Sequence, residues 1–285
     1  MASSSNPRKR MKTLGRGPRY VDNTGHLESW FTCEFKEERD KSIDTYLTTY
    51  NRKIVNIPKF VPLDWLKEKQ LHDVSELLKL QGLEKFLGLA GNIYPDLAKV
   101  FYTNLKVHDD KIESSVKGMR IWVSSFKWEV VTGLNCEEIK IGKGNTDELD
   151  YYNKITFYRS CLRNPEAVTK GFQVGGLSLI PRLIAFIIVW ILTLREHNHF
   201  VLHEEDLILM YYIFNKISVN WGKQMEKARR LADYRLPYVV LISKFFQNFL
   251  IPLEGEAVEP VKQTCEITKS TLHKIGLHKT TMANG

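Results

Sequence analysis

Hydrophobic positions dominate one stretch of this chain, residues 183–194, in which only Thr193 is polar. As a helix, these twelve residues would extend about 18 Å, which is well short of the roughly 30 Å hydrocarbon core of a bilayer. Arg182 precedes the run and Arg195 follows it, so groups that are costly in lipid stand at both ends. Because the run is apolar on every side, it predicts a helix buried inside its own domain, with insertion into a membrane as the alternative.

Amphipathic spacing predicts a second helix around residues 95–105. Pro95 suits a first helical turn, since a proline there removes no helical hydrogen bond. The positions after it repeat at helical spacing and place Leu97, Val100, Phe101 and Leu105 on one face. We expect this face to be core.

Two later segments also follow the helical pattern. Residues 203–217 begin with three carboxylates, which are favourable beside a helix N-terminus, and residues 235–252 place Pro237 at a predicted first turn. The predicted buried positions are Leu207, Ile208, Tyr211, Phe214 and Ile217 in the first segment, and Tyr238, Leu241, Ile242, Phe245 and Phe249 in the second.

Shorter signals predict the remaining elements. In residues 72–82, Asp73 and Glu76 have the spacing of a capping box, and Gly82 suits the left-handed residue after a helix. The segment SSVKGMRIWVSS has β-branched residues on both sides of Gly118 and predicts a small β-hairpin. A helix capped by the serines that end this segment should follow it and end near Gly133.

These elements predict a mainly α-helical fold, a multi-helix globular domain over residues 27–255 with one small β-hairpin. Residues 1–26 combine Ser, Pro, Gly and Arg with few large apolar side chains, which predicts a disordered basic arm. Residues 256–285 carry few groups that can pack, which predicts a flexible, frayed C-terminal tail.

Positive charge is concentrated in the arm. The net charge is +8, and the first twenty residues hold six basic side chains and no acid, which leaves +2 for the rest. Such a cluster binds phosphate backbones without reading bases and can direct nuclear import, whereas a solubilising tail is the alternative. Residues 223–235 are also basic, but they are more typical of a solvated helix face. The arm residues are Arg8, Lys9, Arg10, Lys12, Arg16 and Arg19.

The cysteines indicate an intracellular protein. The basic arm adds the prediction that the protein can enter the nucleus. Cys33, Cys136, Cys161 and Cys265 stand 103, 25 and 104 residues apart and form no CxxC pair. Disulfide-rich secreted domains and zinc modules both need close, repeated spacing. We therefore predict reduced thiols.

A histidine cluster at residues 197–203 suggests a metal site, but its context argues against one. His199 and His203 are four residues apart, a spacing that metal-binding helices use, and carboxylates lie nearby. The HExxH order is missing, and the residues between these two histidines read as a connection between helices. We predict no metal site and no cofactor.

Other catalytic patterns are weak as well. Asp64, Asp96 and Asp206 could be imagined as the metal cluster of a nuclease, but each stands at a predicted helix start, where capping explains it. The chain has no phosphate-cradling GxxxxGK[ST] loop and no GxSxG nucleophile elbow. We predict a protein without enzymatic activity or a small-molecule substrate.

Four motifs in order, VFYTNL, SSVKGMRIWVS, HEEDLILMYYI and RLPYVVLISKFF, resemble the plant transposon protein domain, a family of retroelement-derived plant proteins, some labelled envelope-like. The resemblance covers residues 51–256. The positions that match the family's motifs are Phe101, Tyr102, Asn104 and Leu105, then Val116, Lys117 and Gly118, then Leu236, Pro237 and Tyr238.

The resemblance implies an origin in a mobile element but transfers no catalytic residues. His203 departs from the family pattern, in which Ser or Thr often caps the helix. The leading hypothesis is an accessory or structural element protein whose arm contacts nucleic acid non-specifically. The alternatives are an envelope-like membrane-associated protein, a metal-dependent nuclease or transposase, and a self-associating coat-like protein.

Overall fold

Helices predominate in the structure, a computed structural model, in agreement with the mainly α-helical fold predicted from the sequence. The described residues are 26–61, 63–68, 71–108, 111–134, 149, 151–167, 170–195, 197–222, 235–262 and 265–267. The helices within these ranges are α1 (Leu27–Trp30), α2 (Lys36–Thr45), α3 (Leu63–Glu68), α4 (His72–Leu80), α5 (Glu84–Leu87), α6 (Pro95–Thr103), α7 (Ser125–Thr132), α8 (Lys154–Ser160), α9 (Leu179–Ile187), α10 (Glu204–Phe214) and α11 (Val239–Asn248).

Short strands form three small sheets within the described ranges. Two of these sheets are single pairings that join opposite halves of the chain, and the third contains the predicted hairpin. The pairings are β1 (Ile54–Val55) parallel to β6 (Arg235–Leu236), β2 (Asn92–Ile93) antiparallel to β7 (Glu259–Pro260), and β3 (Lys106–Val107), β4 (Lys111–Val116) and β5 (Met119–Ser124) in one antiparallel sheet.

The apolar run forms a buried helix, as predicted. It comprises α9 and a π-helical turn at Ile188–Leu192, and it packs against α4 and α10. Every residue from Leu183 to Leu194 is buried except Trp190 and Thr193, which are partly exposed. Among the described residues, no helix is both long and apolar enough to cross a membrane.

The predicted hairpin is formed by β4 and β5 around a two-residue turn. Lys117 (φ 53°) and Gly118 (φ 74°) both adopt left-handed backbone conformations, as a type I′ turn requires. Gly118 is needed for a second reason, because a Cβ atom there would lie 3.2 Å from the Cβ of Thr32. The helix after the hairpin, α7, ends at Gly133 as predicted.

The caps of three helices differ from the predictions. Ser124 is the N-cap residue of α7, but its side chain does not form the predicted capping hydrogen bond. Leu71 is the N-cap of α4 and no side chain caps this helix, so the capping box predicted from Asp73 and Glu76 does not form. Helix α11 begins two residues after Pro237, with Tyr238 as a left-handed N-cap. The residues before it are extended because Leu236 pairs with Val55 of β1, and the Tyr238 hydroxyl donates a hydrogen bond to Leu192 O at 2.6 Å.

The buried face of α10 differs from the one that its apolar spacing predicted. Of the five positions assigned to the core only Leu207 is buried, whereas Ile208, Tyr211, Phe214 and Ile217 are partly exposed and Tyr212 is buried. The helix lies between α8 and α9, so two of its sides are covered rather than one. The buried residues of α10 are Asp206, Leu207, Leu209, Met210, Tyr212 and Ile213.

Residues 256–262 and 265–267 correct the prediction of a frayed tail after Gly255. Glu259–Pro260 pairs with β2, and Ile267 is fully buried. Glu256 accepts a hydrogen bond from Trp30 Nε1 at 3.0 Å and forms an ion pair with Lys117 Nζ at 2.5 Å. These groups are supplied by α1 and the hairpin, which no local pattern in the tail could reveal. Residues 268–285 lie outside the described ranges.

Candidate anion-binding cleft

A cleft opens where the ends of several elements meet beside the buried helix. Its cavity volume is about 210 Å³. Four separate parts of the chain contribute to it: the segment after β1, the end of the π-helical turn with the connection that follows, β6, and the C-terminal segment. The lining residues are Asn56, Ile57, Lys59, Trp190, Leu194, Arg195, His199, Arg235 and Cys265.

Backbone pairing holds the segment between β1 and residue 60 at both ends. Asn56 N donates to Leu236 O at 2.7 Å, and Phe60 N donates to Cys265 O at 3.0 Å. Pro58 lies between these bonds, where its fixed φ angle limits the freedom of the backbone. The backbone that carries Lys59 therefore has a defined position at the edge of the cleft.

The π-helical turn ends the buried helix and directs the chain toward the cleft. Thr193 N donates to Ile188 O at 2.8 Å, the wider spacing of a π-helical bond. Leu194 then adopts a left-handed conformation with φ 46°, and Arg195 N donates back to Val189 O at 3.1 Å. This reversal brings the side chain of Arg195 into the cleft wall.

An aromatic pair forms part of the wall. The rings of Trp190 and His199 are stacked with centroids 3.8 Å apart and an interplanar angle of 12°. Lys59 Nζ lies 5.8 Å from the Trp190 ring centroid, which is within range of a cation–π contact. The wall thus combines flat ring surfaces with a positive charge.

His199 is fixed in one tautomer by the backbone. Its Nε2 lies 2.5 Å from Arg195 O, and a carbonyl oxygen can only accept, so Nε2 carries the proton and Nδ1 is left as an acceptor. Burial lowers the pKa of His199 more than this hydrogen bond raises it, so the imidazole is neutral near pH 7. The histidine contributes a ring and a lone pair rather than a charge.

Arg195 and Asp206 form an ion pair behind the cleft. Arg195 Nη2 lies 2.5 Å from Asp206 Oδ2, and Arg195 Nη1 donates to Val201 O at 2.8 Å. The same carboxylate accepts the N–H of His203 at 2.6 Å. Burial nevertheless raises the pKa of Asp206, against the lowering effects of these donors. Since Asp206 balances its charge, Arg195 mainly holds the connection against α10.

Lys59 and Arg235 give the cleft an excess of positive charge. Arg235 is exposed and Lys59 is partly buried, and neither forms an ion pair within the described residues. No carboxylate is among the described residues that line the cleft. This combination of cations, rings and a neutral acceptor suits a small anionic ligand that carries hydroxyl groups or a ring.

The residues predicted to contact nucleic acid cannot be compared with this cleft, because they fall outside the described ranges. Arg8, Lys9, Arg10, Lys12, Arg16 and Arg19 lie outside the described residues, as do residues 223–234 of the second basic stretch. Only Arg235, the last residue of that stretch, is described, and it lines the cleft instead of a helix face.

The three histidines of the sequence cluster have separate environments. His197 is exposed, His199 stacks on Trp190, and His203 is the N-cap residue of α10. Their connecting segment is not helical, as the sequence predicted. Within the ranges that the structure describes, no group of three or more His, Cys, Asp or Glu side chains could hold a metal ion.

The three aspartates considered for a nuclease site also stay apart. Asp64 pairs with Lys67 at 3.4 Å, and Asp96 pairs with Lys99 at 3.2 Å, each within the first turns of its own helix. Asp206 pairs with Arg195. Each carboxylate is thus explained by its own local cation.

Sequence reasoning missed the cleft because its parts are distant along the chain. Lys59 and Arg235 carried no local signal, since isolated cations in extended segments are ordinary surface residues. One signal existed in Trp190, the single residue of the apolar run whose side chain has a polar N–H and often meets solvent at one end.

We expect the cysteines to differ sharply in reactivity. Cys33 is exposed, whereas Cys161 is buried and its burial raises the pKa of the thiol to about 11. Since the thiolate is the reactive form, iodoacetamide at pH 8 should alkylate Cys33 in the native protein and leave Cys161 unmodified until urea unfolds the chain. Peptide mass spectrometry measures both sites, and equal native labelling of the two would contradict the structure.

The sequence matches no protein-family model, and neither a curated protein nor a solved structure is similar enough to it to count as a match. The resemblance to the plant transposon protein domain therefore stays a prediction that rests on its motifs. The geometry of the cleft remains the basis for a functional proposal.

Proposed function

We propose that the protein is a non-enzymatic accessory or structural protein of a plant mobile element that binds nucleic acid through phosphate groups. The observation that carries this proposal is the excess positive charge of Lys59 and Arg235 in a cleft that also contains aromatic rings. Ammonium and guanidinium groups are the side chains that proteins use most to hold phosphates.

The groups around the cleft favour binding over proton transfer. No carboxylate is among the described residues that line the cleft, and the Asp206 carboxylate behind it is held by Arg195 and a backbone amide. A general base must instead reach the proton that it abstracts from a substrate. The arm adds six cations that can follow a phosphate backbone without reading its sequence.

Fluorescence anisotropy with labelled 20-nucleotide single strands and duplexes, measured across a salt series, tests the proposal. Deleting residues 1–20 should lower the affinity and reduce the slope of log K against log salt by up to about 4–5, at about 0.7–0.9 per phosphate contact. An unchanged affinity and slope would remove the arm from the binding function. Absence of binding by the full chain at about 50 mM salt would overturn the proposed function itself.

A further inference from the structure

We propose that the cleft binds the phosphate group of a single nucleotide, with Lys59 and Arg235 as its cationic ligands and the Trp190–His199 ring pair as the wall for the attached nucleoside. This inference rests on the proposed function and narrows it, because it states which part of a nucleic acid enters the protein. The arm can contact many phosphates at once, whereas the cleft would hold one.

The size of the cleft limits what can enter. Its volume of about 210 Å³ lies below the roughly 300–1,000 Å³ of pockets for drug-sized ligands. A phosphate with the adjoining part of one nucleoside fits this space, whereas a base-paired duplex can only lie across the opening. The ligand is therefore a free mononucleotide or a single nucleotide of an unpaired strand.

The two cations are anchored on backbone that the fold holds in place. Arg235 lies in β6, in register with Ile54 of β1, and the backbone bonds of Asn56 and Phe60 bracket Lys59. Both side chains line the same cleft, on segments whose main chain is held by these hydrogen bonds. Neither has a carboxylate partner within the described ranges, so a phosphate would not need to displace one.

The ring pair distinguishes a nucleotide from a simple anion. Trp190 is stacked with His199 at 3.8 Å and with Phe186 at 5.7 Å, and since Trp190 and His199 are both partly exposed, the ring pair gives the cleft wall an apolar part that a base or sugar can contact. His199 Nδ1 is left as an acceptor, which suits a sugar hydroxyl, because an unprotonated anion has no hydrogen to donate to it.

Isothermal titration calorimetry on the full chain tests this assignment. The ligands are AMP, adenosine, inorganic phosphate, a tetranucleotide with and without a 5′-phosphate, and an oligoglutamate peptide. We compare the double variant Lys59→Gln/Arg235→Gln with a matched control, Lys79→Gln/Arg159→Gln, which removes the same charges from exposed positions on α4 and α8. Net charge is then equal in the two variants.

We expect the cleft variant to weaken binding of AMP or of the tetranucleotide by about tenfold or more, as loss of a charge-assisted hydrogen bond implies, and the control to stay within about twofold. If the cleft variant binds AMP more weakly than the control does, the ligand is a free nucleotide. If only binding of the tetranucleotide is weakened, the ligand is a nucleotide of an unpaired strand. If the cleft variant does not fold, Arg235→Gln alone serves, since this side chain is exposed.

Several outcomes would overturn the assignment. If the cleft and control variants bind AMP and the tetranucleotide with equal affinity, the phosphate does not bind in the cleft. This result would leave the proposed function intact, provided that 20-nucleotide strands still bind with the expected salt dependence. Inorganic phosphate or oligoglutamate that binds as tightly as AMP would show a general anion site. Adenosine that binds as tightly as AMP would remove the role of the phosphate.

Discussion

Replacing Asp206 with alanine is expected to lower the free energy of unfolding by about 3–5 kcal/mol, because it leaves a largely buried guanidinium without its counter-charge. The exposed fractions of the paired side chains are 12% for Arg195 and 6% for Asp206. The substitution also leaves the His203 N–H at the start of α10 without its acceptor. Urea denaturation followed by circular dichroism measures the change.

Asp64→Ala is the matched control for this prediction. Asp64 is also a first-turn aspartate paired with a cation, but its side chain is 90% exposed. Water screens such a pair, so the loss should stay below about 1 kcal/mol. Replacing both partners, with Arg195→Met and Asp206→Leu together, should recover much of the stability because no unpaired charge remains. Similar losses for Asp206→Ala and Asp64→Ala would contradict the structural role of the buried pair.

Replacing Phe246 with alanine is expected to destabilise the protein by about 3–5 kcal/mol, since it removes a large side chain from the core and leaves a cavity. Phe246 is fully buried, and its ring packs edge-to-face on Phe101 with centroids 6.3 Å apart. Thermal and urea unfolding both report the loss.

Phe126→Ala provides a control with the same chemical change. Phe126 is 68% exposed on α7, so its truncation should alter the unfolding free energy by about 0.5 kcal/mol or less. If the two alanine variants unfold at the same urea concentration, then α11 does not pack against α6 as the structure has it. Unchanged stability of the Phe246 variant would have the same meaning.

The elements predicted correctly are those whose causes are local. The hairpin depends on two adjacent residues that adopt left-handed conformations, and α6 begins at Pro95, where a missing N–H has no cost. The run from Leu183 to Leu194 was predicted to be buried because it has no polar side to expose. In each case, neighbours within a few residues supply the physical reason.

Predictions failed where a helix has more than one neighbour. The apolar stripe predicted for α11 includes Phe245, which is buried, but it omits Phe246, which is fully buried as well. The capping box predicted for α4 was wrong for a related reason. Sequence spacing shows that Asp73 and Glu76 could reach backbone amides, but it does not show that these hydrogen bonds form in the folded chain. Hydrophobic periodicity identifies one buried face of a helix, but it does not show how many other elements pack against that helix.

The candidate site was beyond sequence reasoning in most of its parts. His199 was singled out as a metal ligand candidate, yet its role in the cleft depends on Trp190, which the sequence placed in a buried helix. Lys59 and Arg235 become neighbours of this pair through the parallel pairing of β1 and β6. A two-residue pairing between opposite halves of the chain leaves no periodic signal.

By itself, the sequence determined that the chain is mainly helical, that its most apolar segment is a buried core helix, and that its positive charge is concentrated at the N-terminal end. The tertiary structure alone decided which faces of α10 and α11 are covered, that residues 259–260 and 267 pack against the domain, and that two cations meet an aromatic pair. Local sterics and hydrophobic periodicity act over a few residues, whereas burial and a binding cleft depend on which distant segments the folded chain brings together.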